Sequence, residues 1–327
     1  MSQSGRIAVI LVNTGSPEAP TKESVGKYLI EFLGDRRVVE LHPLIWQPIL
    51  RGIVVPRRSQ DAANRYRSIW TENGSPLVDY TLKTARALDR ELGEGFDVTW
   101  AMCYGSHKLA DELARVIETN PERIVILPMF AQYATQTSAA VFDIVDRVIK
   151  KYPTTAPIVR IESYFDDPNY IACLASNVRE HWAKAGELGP NDRLVMSFHG
   201  IPAVSSERGD PYERQCNETA RLLANALGLE DSQWVLCYQS KFGRAKWLEP
   251  SAIDTVQRLA REGHDRIDVV CPGFAADCIE TLEEIQCELK EIYEQAGGKT
   301  FGYVPAPNDG EQAVRGYARL ISRALAS

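Results

Sequence analysis

The sequence predicts an α/β protein made of two similar, doubly wound halves whose parallel sheets face a central cleft. Three observations lead there. Short apolar runs rich in strand formers alternate with stretches of helical periodicity, the pattern of repeated βα units. The run Lys151-Tyr152-Pro153-Thr154-Thr155-Ala156-Pro157 interrupts the alternation near the middle, after which it resumes. A length of 327 residues suits about two domains, and a cleft between two such halves is the default place for a ligand.

The first strand is Ile7 to Val12, after a start too brief for a secretory leader. The turn Asn13-Thr14-Gly15-Ser16-Pro17 follows. It lacks the Gly-x-Gly-x-x-Gly that brings backbone close to a pyrophosphate, and Pro17 blocks a smooth helix start, so a dinucleotide-dependent enzyme is excluded. Helical periodicity covers residues 21 to 33. From Leu41 to Pro56 the chain is unusually apolar, but Pro43, Pro48 and Arg51 rule out a membrane span. Helices are expected at 77 to 92, 107 to 118 and 137 to 150, with strands at Val98 to Met102 and Ile124 to Leu127. The second half has strands at Ile158 to Ile161, Leu194 to Phe198, Trp234 to Tyr238, Ile267 to Val270 and Phe301 to Val304, separated by helices. The expected domains are therefore 1–152 and 153–307, with a last helix in 308–327 packing back on the first.

Composition narrows the function classes. With 44% hydrophobic and 25% charged residues the chain is an ordinary globular sequence. A formal charge of -7 argues against nucleic acid as a partner, while Arg57-Arg58 suits an anionic small molecule. Seven cysteines contain no Cys-x-x-Cys pair, which fits reduced thiols in a cytoplasm. There is no P-loop and no Gly-x-Ser-x-Gly elbow.

The most informative stretch is Cys271-Pro272-Gly273-Phe274-Ala275-Ala276-Asp277-Cys278-Ile279-Glu280-Thr281-Leu282-Glu283-Glu284-Ile285, which opens a helix. Glu280, Glu284 and Glu288 recur every four residues and share a face, with rungs about 6 Å apart. The stripe is either a solvated face, with Asp277 and Glu280 forming a capping box, or a line of hard oxygen ligands passing a divalent cation inward. A basic partner is His199 of His199-Gly200-Ile201-Pro202, which breaks the strand ending at Phe198. Ligands of parallel α/β sheets bind outside the carboxyl ends of strands, where His199 and the Pro272-Gly273-Phe274 turn both fall. None of the five histidines forms a His-x-x-x-His pair.

Together these segments resemble the ferrochelatases. Leu11-Val12-Asn13-Thr14-Gly15-Ser16-Pro17, Phe32-Leu33-Gly34-Asp35-Arg36-Arg37-Val38-Val39, Gly74-Ser75-Pro76-Leu77, Ser197-Phe198-His199-Gly200-Ile201-Pro202, Tyr238-Gln239-Ser240-Lys241-Phe242-Gly243 and the 271 to 285 run fall in family order over nearly the whole chain. The resemblance implies two Rossmann-like domains of chelatase type and insertion of Fe²⁺ into a porphyrin. His199 and Glu280 would serve the inner site, in proton abstraction or metal contact, with Glu284 and Glu288 on an outer acidic ridge. An imidazole is a suitable base near neutral pH. Arg58, Tyr66 and Ser75 match residues that hold propionates or line the mouth, and Tyr104, Tyr133, Trp247 and Phe274 match pocket aromatics. Thr14 stands where the coproporphyrin-using branch carries Tyr, which implies protoporphyrin IX as substrate. No cysteine lies beyond Cys287, so a [2Fe-2S] cluster is not expected. The apolar 41 to 56 segment matches the hydrophobic mouth and implies peripheral contact with a membrane. Two departures, Cys103 in place of Arg and the altered run 131 to 137, fall on one pocket wall. The alternatives are a chelatase for coproporphyrin, cobalt or nickel, and a non-catalytic porphyrin carrier, which would not need the acidic stripe.

Overall fold

A computed structural model describes residues 5–241, 243 and 245–326; Phe242 of the Tyr238 to Gly243 motif lies outside them. The chain divides into two compact units, residues 1–163 with 309–327, and residues 164–308.

The first unit runs β1 (Ile7–Ser16), α1 (Lys22–Phe32), α2 (Pro43–Ile49), α3 (Val55–Ile69), α4 (Pro76–Leu92), β2 (Phe96–Gly105), α5 (Leu109–Glu118), β3 (Arg123–Pro128), α6 (Ser138–Lys151) and β4 (Ile158–Arg160). Its four strands are parallel in the order β2-β1-β3-β4. β1 is buried almost throughout because helices cover a parallel sheet on both faces. Ile10, Val12, Ile124 and Ile126 on the strands meet Leu109, Leu113, Val141 and Val145 from α5 and α6, and each such side chain contributes about 1.5–3 kcal/mol by burial.

β1 extends past the expected turn to Ser16. Gly15 and Gly105 make this possible, since the strand ends touch: a Cβ on Gly15 would lie 2.0 Å from the Tyr104 carbonyl oxygen, and one on Gly105 2.3 Å from that of Ser16. Both have positive φ, +119° and +85°, where only glycine is unstrained. The 41 to 56 segment is broken by a π-helical turn at Leu50–Val54 between α2 and α3. The domain boundary expected at 152/153 is corrected. β4 pairs with β3, so the first unit keeps its fourth strand, which occupies the edge that β3 would otherwise leave open.

The second unit runs α7 (Pro168–Ala185), β5 (Arg193–His199), α8 (Ala203–Glu207), α9 (Tyr212–Leu227), β6 (Trp234–Gln239), α10 (Ala252–Arg261), β7 (Arg266–Val270), α11 (Ile279–Leu282), α12 (Lys290–Gln295) and β8 (Thr300–Val304). Its order, β6-β5-β7-β8, repeats that of the first sheet strand for strand. The fully buried Asp268 on β7 is satisfied by Trp182 Nε1 at 2.9 Å and by Arg266 through Nε at 3.1 Å and Nη2 at 2.7 Å. Arg266 also donates to the carbonyls of Ala185 and Gly186, closing the end of α7. The last helix, α13 (Glu311–Ala326), returns to the first unit and packs on α4, with Arg123 donating to the Leu325 carbonyl at 3.0 Å.

Candidate functional site

In the second sheet the chain leaves β5 and β7, two neighbouring strands, in the region where the strand order reverses. Such a switch point is where open α/β sheets bind ligands. His199 is the last residue of β5 and is half-buried. Its Nδ1 lies 2.7 Å from the Gly200 carbonyl oxygen. A carbonyl only accepts, so in the neutral ring Nδ1 carries the proton and Nε2 keeps the lone pair. The His199 carbonyl accepts from Tyr212 Oη at 2.9 Å, anchoring the strand end to α9. Gly200 is needed here: a Cβ would lie 2.8 Å from the Gln239 carbonyl oxygen and 3.1 Å from the Trp247 ring. Trp247 thereby packs beside the residue that follows His199, and its indole N–H is enclosed without a hydrogen-bond partner among the described residues. The Phe274 ring centre is 6.5 Å from that of His199.

The turn after β7 leads into α11, and two expectations are corrected there. Asp277 does not cap the helix with Glu280. The helix starts at Ile279, where the Cys278 thiol accepts from the Thr281 N–H and Thr281 Oγ1 accepts from the Cys278 N–H at 2.9 Å. Asp277 is buried and its carboxylate collects four donors: the Tyr303 hydroxyl, Thr281 Oγ1 at 3.1 Å, Asn308 Nδ2 at 2.8 Å and the Ala306 N–H at 3.3 Å. The aspartate holds the turn to the segment after β8, and Glu280 forms no capping box with it; the Glu280 side chain and N–H meet the Cys278 thiol instead.

The second correction concerns the acidic stripe. Glu284–Leu289 form a π-helical segment in which the Glu288 N–H donates to the Glu283 carbonyl at 2.9 Å, so the even four-residue ladder is replaced by a wider turn. Glu280, Glu284 and Glu288 are all half-buried. Both Glu284 oxygens accept from one residue, the Ser240 N–H at 2.6 Å and Ser240 Oγ at 2.6 Å. Ser240 reaches them in a left-handed conformation, φ +64°, which costs a non-glycine residue about 1 kcal/mol or more. Burial pushes the Glu284 carboxyl above its ordinary range, the Ser240 donors and His199 oppose the rise, and Glu280 adds to it. His199, Glu280 and Glu284 therefore share one electrostatic environment. Among the described residues, no three His, Cys, Asp or Glu side chains converge into a group that could hold a metal ion. Glu284 is tethered to Ser240 rather than presented as an open ligand.

The remaining expected residues belong to the first unit. Thr14 lies half-buried near the end of β1, and Arg58 is exposed on α3. Ser75 is the buried N-cap of α4. Tyr66 is 7% exposed and packs edge-on against Tyr28 and Trp70. Tyr104 is 6% exposed, its hydroxyl donating to Asp35 at 2.9 Å, so both tyrosines are interior residues of the unit. Tyr133 and Cys103 pack against its core. Arg37 of the same motif as Asp35 forks onto Asp143 through Nε at 2.6 Å and Nη2 at 3.0 Å. Sequence reasoning quoted Gln239 and Ser240 inside a motif without giving them a role, and it missed Tyr212, which no local pattern distinguishes.

Comparison with known proteins gives a consistent result. Residues 6–325 match the family model described as Ferrochelatase. Proteins named "Ferrochelatase" are similar along the chain: that of Azoarcus sp. (strain BH72) is 44% identical over 93% of this chain and 84% of its own length. That of Xylella fastidiosa (strain M12) is 42% identical over 99% of this chain and all of its own. The chain is also similar in fold to the solved structure "SirB from Bacillus subtilis with Fe3+", with a TM-score of 0.56 at 11% identity, covering 98% of this chain and 95% of that one. A second, the sirohydrochlorin chelatase SirB from Bacillus subtilis subspecies spizizenii in complex with cobalt, gives 0.53 at 10% identity with the same coverage.

Proposed function

The chain belongs to the ferrochelatase family, and from that premise we propose that it inserts Fe²⁺ into protoporphyrin IX, forming protohaem and releasing two protons in the terminal step of haem biosynthesis. Iron and porphyrin are both substrates. The inner N–H protons of the free-base ring lie in its plane, so insertion needs a base beside the ring and a way to strip water from the cation. The observation that carries the reading is the His199 tautomer: the bond from Nδ1 to the Gly200 carbonyl leaves the Nε2 lone pair to accept a pyrrole proton. Glu280 is the opposing carboxylate, and its charge offsets the cation's lost hydration. Glu288 belongs to the same path, while Glu284 serves it from its tether to Ser240. Arg58 suits a propionate, and Thr14, Ser75, Tyr133, Trp247 and Phe274 belong with the porphyrin site.

Anaerobic assay of the purified chain should show Fe²⁺ insertion into protoporphyrin IX faster than into coproporphyrin, and faster than Co²⁺ or Ni²⁺ insertion under the same conditions. Binding of porphyrin without turnover would leave only a carrier. The enzyme works without an iron–sulfur cluster in this proposal. Burial pushes the Cys173 thiol up to about 11 and those of Cys103 and Cys237 up to about 12, which opposes the thiolate state that cluster ligands need. Stoichiometric acid-labile sulfide in the same preparation would overturn that part.

The location we propose is cytoplasmic, with peripheral contact at the inner face of the membrane. No helix among the described residues is long and apolar enough to cross a membrane. Leu44 at 82% and Ile45 at 63% exposure, with Leu41, Ile49 and Ile53 close in sequence, give α2 an apolar surface that a lipid interface would cover. Vesicle flotation should recover the wild-type protein and not a Leu44→Asp, Ile45→Asp variant. Equal recovery of both would sink the membrane contact.

A further inference from the structure

Gln239, the last residue of β6, is 3% exposed. Its amide Oε1 accepts from Ser197 Oγ at 2.7 Å and from the Cys271 thiol at 3.7 Å, and with two donors on that side Nε2 is turned to the Glu280 carbonyl oxygen at 2.7 Å. Its backbone carbonyl accepts from the Gly200 N–H at 2.8 Å. One buried residue is thus bonded to the interior of β5, to the residue after His199, to the turn leaving β7 and to the backbone of Glu280. The contact with Glu280 falls just ahead of the π-helical segment, where the regular helical bonding pattern changes. Neighbouring Ser240 holds the Glu284 carboxylate from the same strand end.

We infer that Gln239 is a positioning residue for metal insertion, setting the separation between the His199 ring and the Glu280 carboxylate. The inference rests on the proposed roles of those two residues. A polar amide is not required to finish a buried strand, and an apolar side chain of equal length would fill the space. What only the amide supplies is simultaneous attachment to the strand that carries the base and to the helix that carries the acid. Small errors in the placement of reacting groups are costly, with about 1 Å worth as much as about 100-fold in rate.

The test is a double-mutant cycle in the full chain, with kcat and the porphyrin KM measured per folded molecule. Gln239→Met keeps the length and removes the bonds. It should lower kcat about tenfold and change the porphyrin KM less than about twofold, because the ring's contacts lie elsewhere. In a Glu280→Gln background the same change should add less than about twofold, since no acid remains to be positioned. Trp182→Phe, which removes one buried hydrogen bond far along the same unit, should lower the melting temperature and leave kcat unchanged. If Gln239→Met does not fold, Ser197→Ala releases the same amide and should lower kcat about threefold, again only when Glu280 is present. A wild-type kcat in Gln239→Met, or a loss that is undiminished in the Glu280→Gln background, overturns the inference alone. A wild-type kcat in Glu280→Gln overturns the role of Glu280, and the inference with it.

Discussion

Replacing His199 with Ala should lower Fe²⁺ insertion by about 1,000-fold or more, within the range that a positioned general base contributes, while protoporphyrin still binds. The expectation follows from where the ring sits. His199 ends β5, and its side-chain bond to the described residues of the unit is local, from Nδ1 to the next carbonyl. The strand end stays fixed by the Tyr212 hydroxyl, which donates to the His199 carbonyl, and by the Gly200 N–H, which donates to the Gln239 carbonyl of β6; neither bond uses the imidazole. Removing the ring therefore deletes the Nε2 lone pair without unravelling the strand end. Porphyrin affinity, followed by quenching of its fluorescence, should stay within about threefold, since the proposed stacking and propionate contacts do not involve this residue. Near-normal turnover would return His199 to a structural role.

Glu280→Gln should reduce turnover by about 100-fold or more with the melting temperature unchanged. Gln keeps the size and shape of the side chain and removes only its charge. Had Glu280 been the capping partner of Asp277, the change would be silent, because a capping box accepts either residue. The cap is instead made by Cys278 and Thr281, and what the Glu280 side chain adds there is a hydrogen bond with the Cys278 thiol, which a Gln amide oxygen can still accept. Asp277→Ala supplies the contrast. An aspartate acting only as N-cap would cost about 1 kcal/mol. Here its loss strands the donors of Tyr303, Thr281, Asn308 and Ala306 in a buried place, which should cost about 3 kcal/mol or more. Wild-type insertion by Glu280→Gln in an anaerobic Fe²⁺ assay would mean that the acidic segment is not the inner metal site.

The strands were legible because each is a short apolar run that stands out from its polar neighbours. Ile7 to Val12, Leu194 to Phe198 and Ile267 to Val270 all lie inside observed strands. Their ends were less so. β1 runs on through Thr14, Gly15 and Ser16, of which only Thr14 favours a strand, because the adjacent end of β2 accepts them in register. Gly15 and Gly105 read as turn residues in isolation, yet their role is close approach of two backbones. The helix start near Asp277 was misplaced for a related reason: Asp-x-x-Glu is a valid local cap, but Tyr303 and Asn308, distant in sequence, compete for the carboxylate and win.

By itself the sequence determined the βα order, the repeat of the two halves and the family, since periodicity and ordered motifs are properties of residues a few positions apart. It also singled out His199, which ends a recognisable strand, and Glu280, which opens the acidic stripe at 280, 284 and 288. Only the tertiary structure decided that β4 completes the first sheet, that Glu284 is bound by Ser240, and that Gln239 ties the Glu280 backbone to β5. Each of those pairings joins residues tens of positions apart. Burial selects them, since a polar group removed from water must find a partner wherever the folded chain brings one.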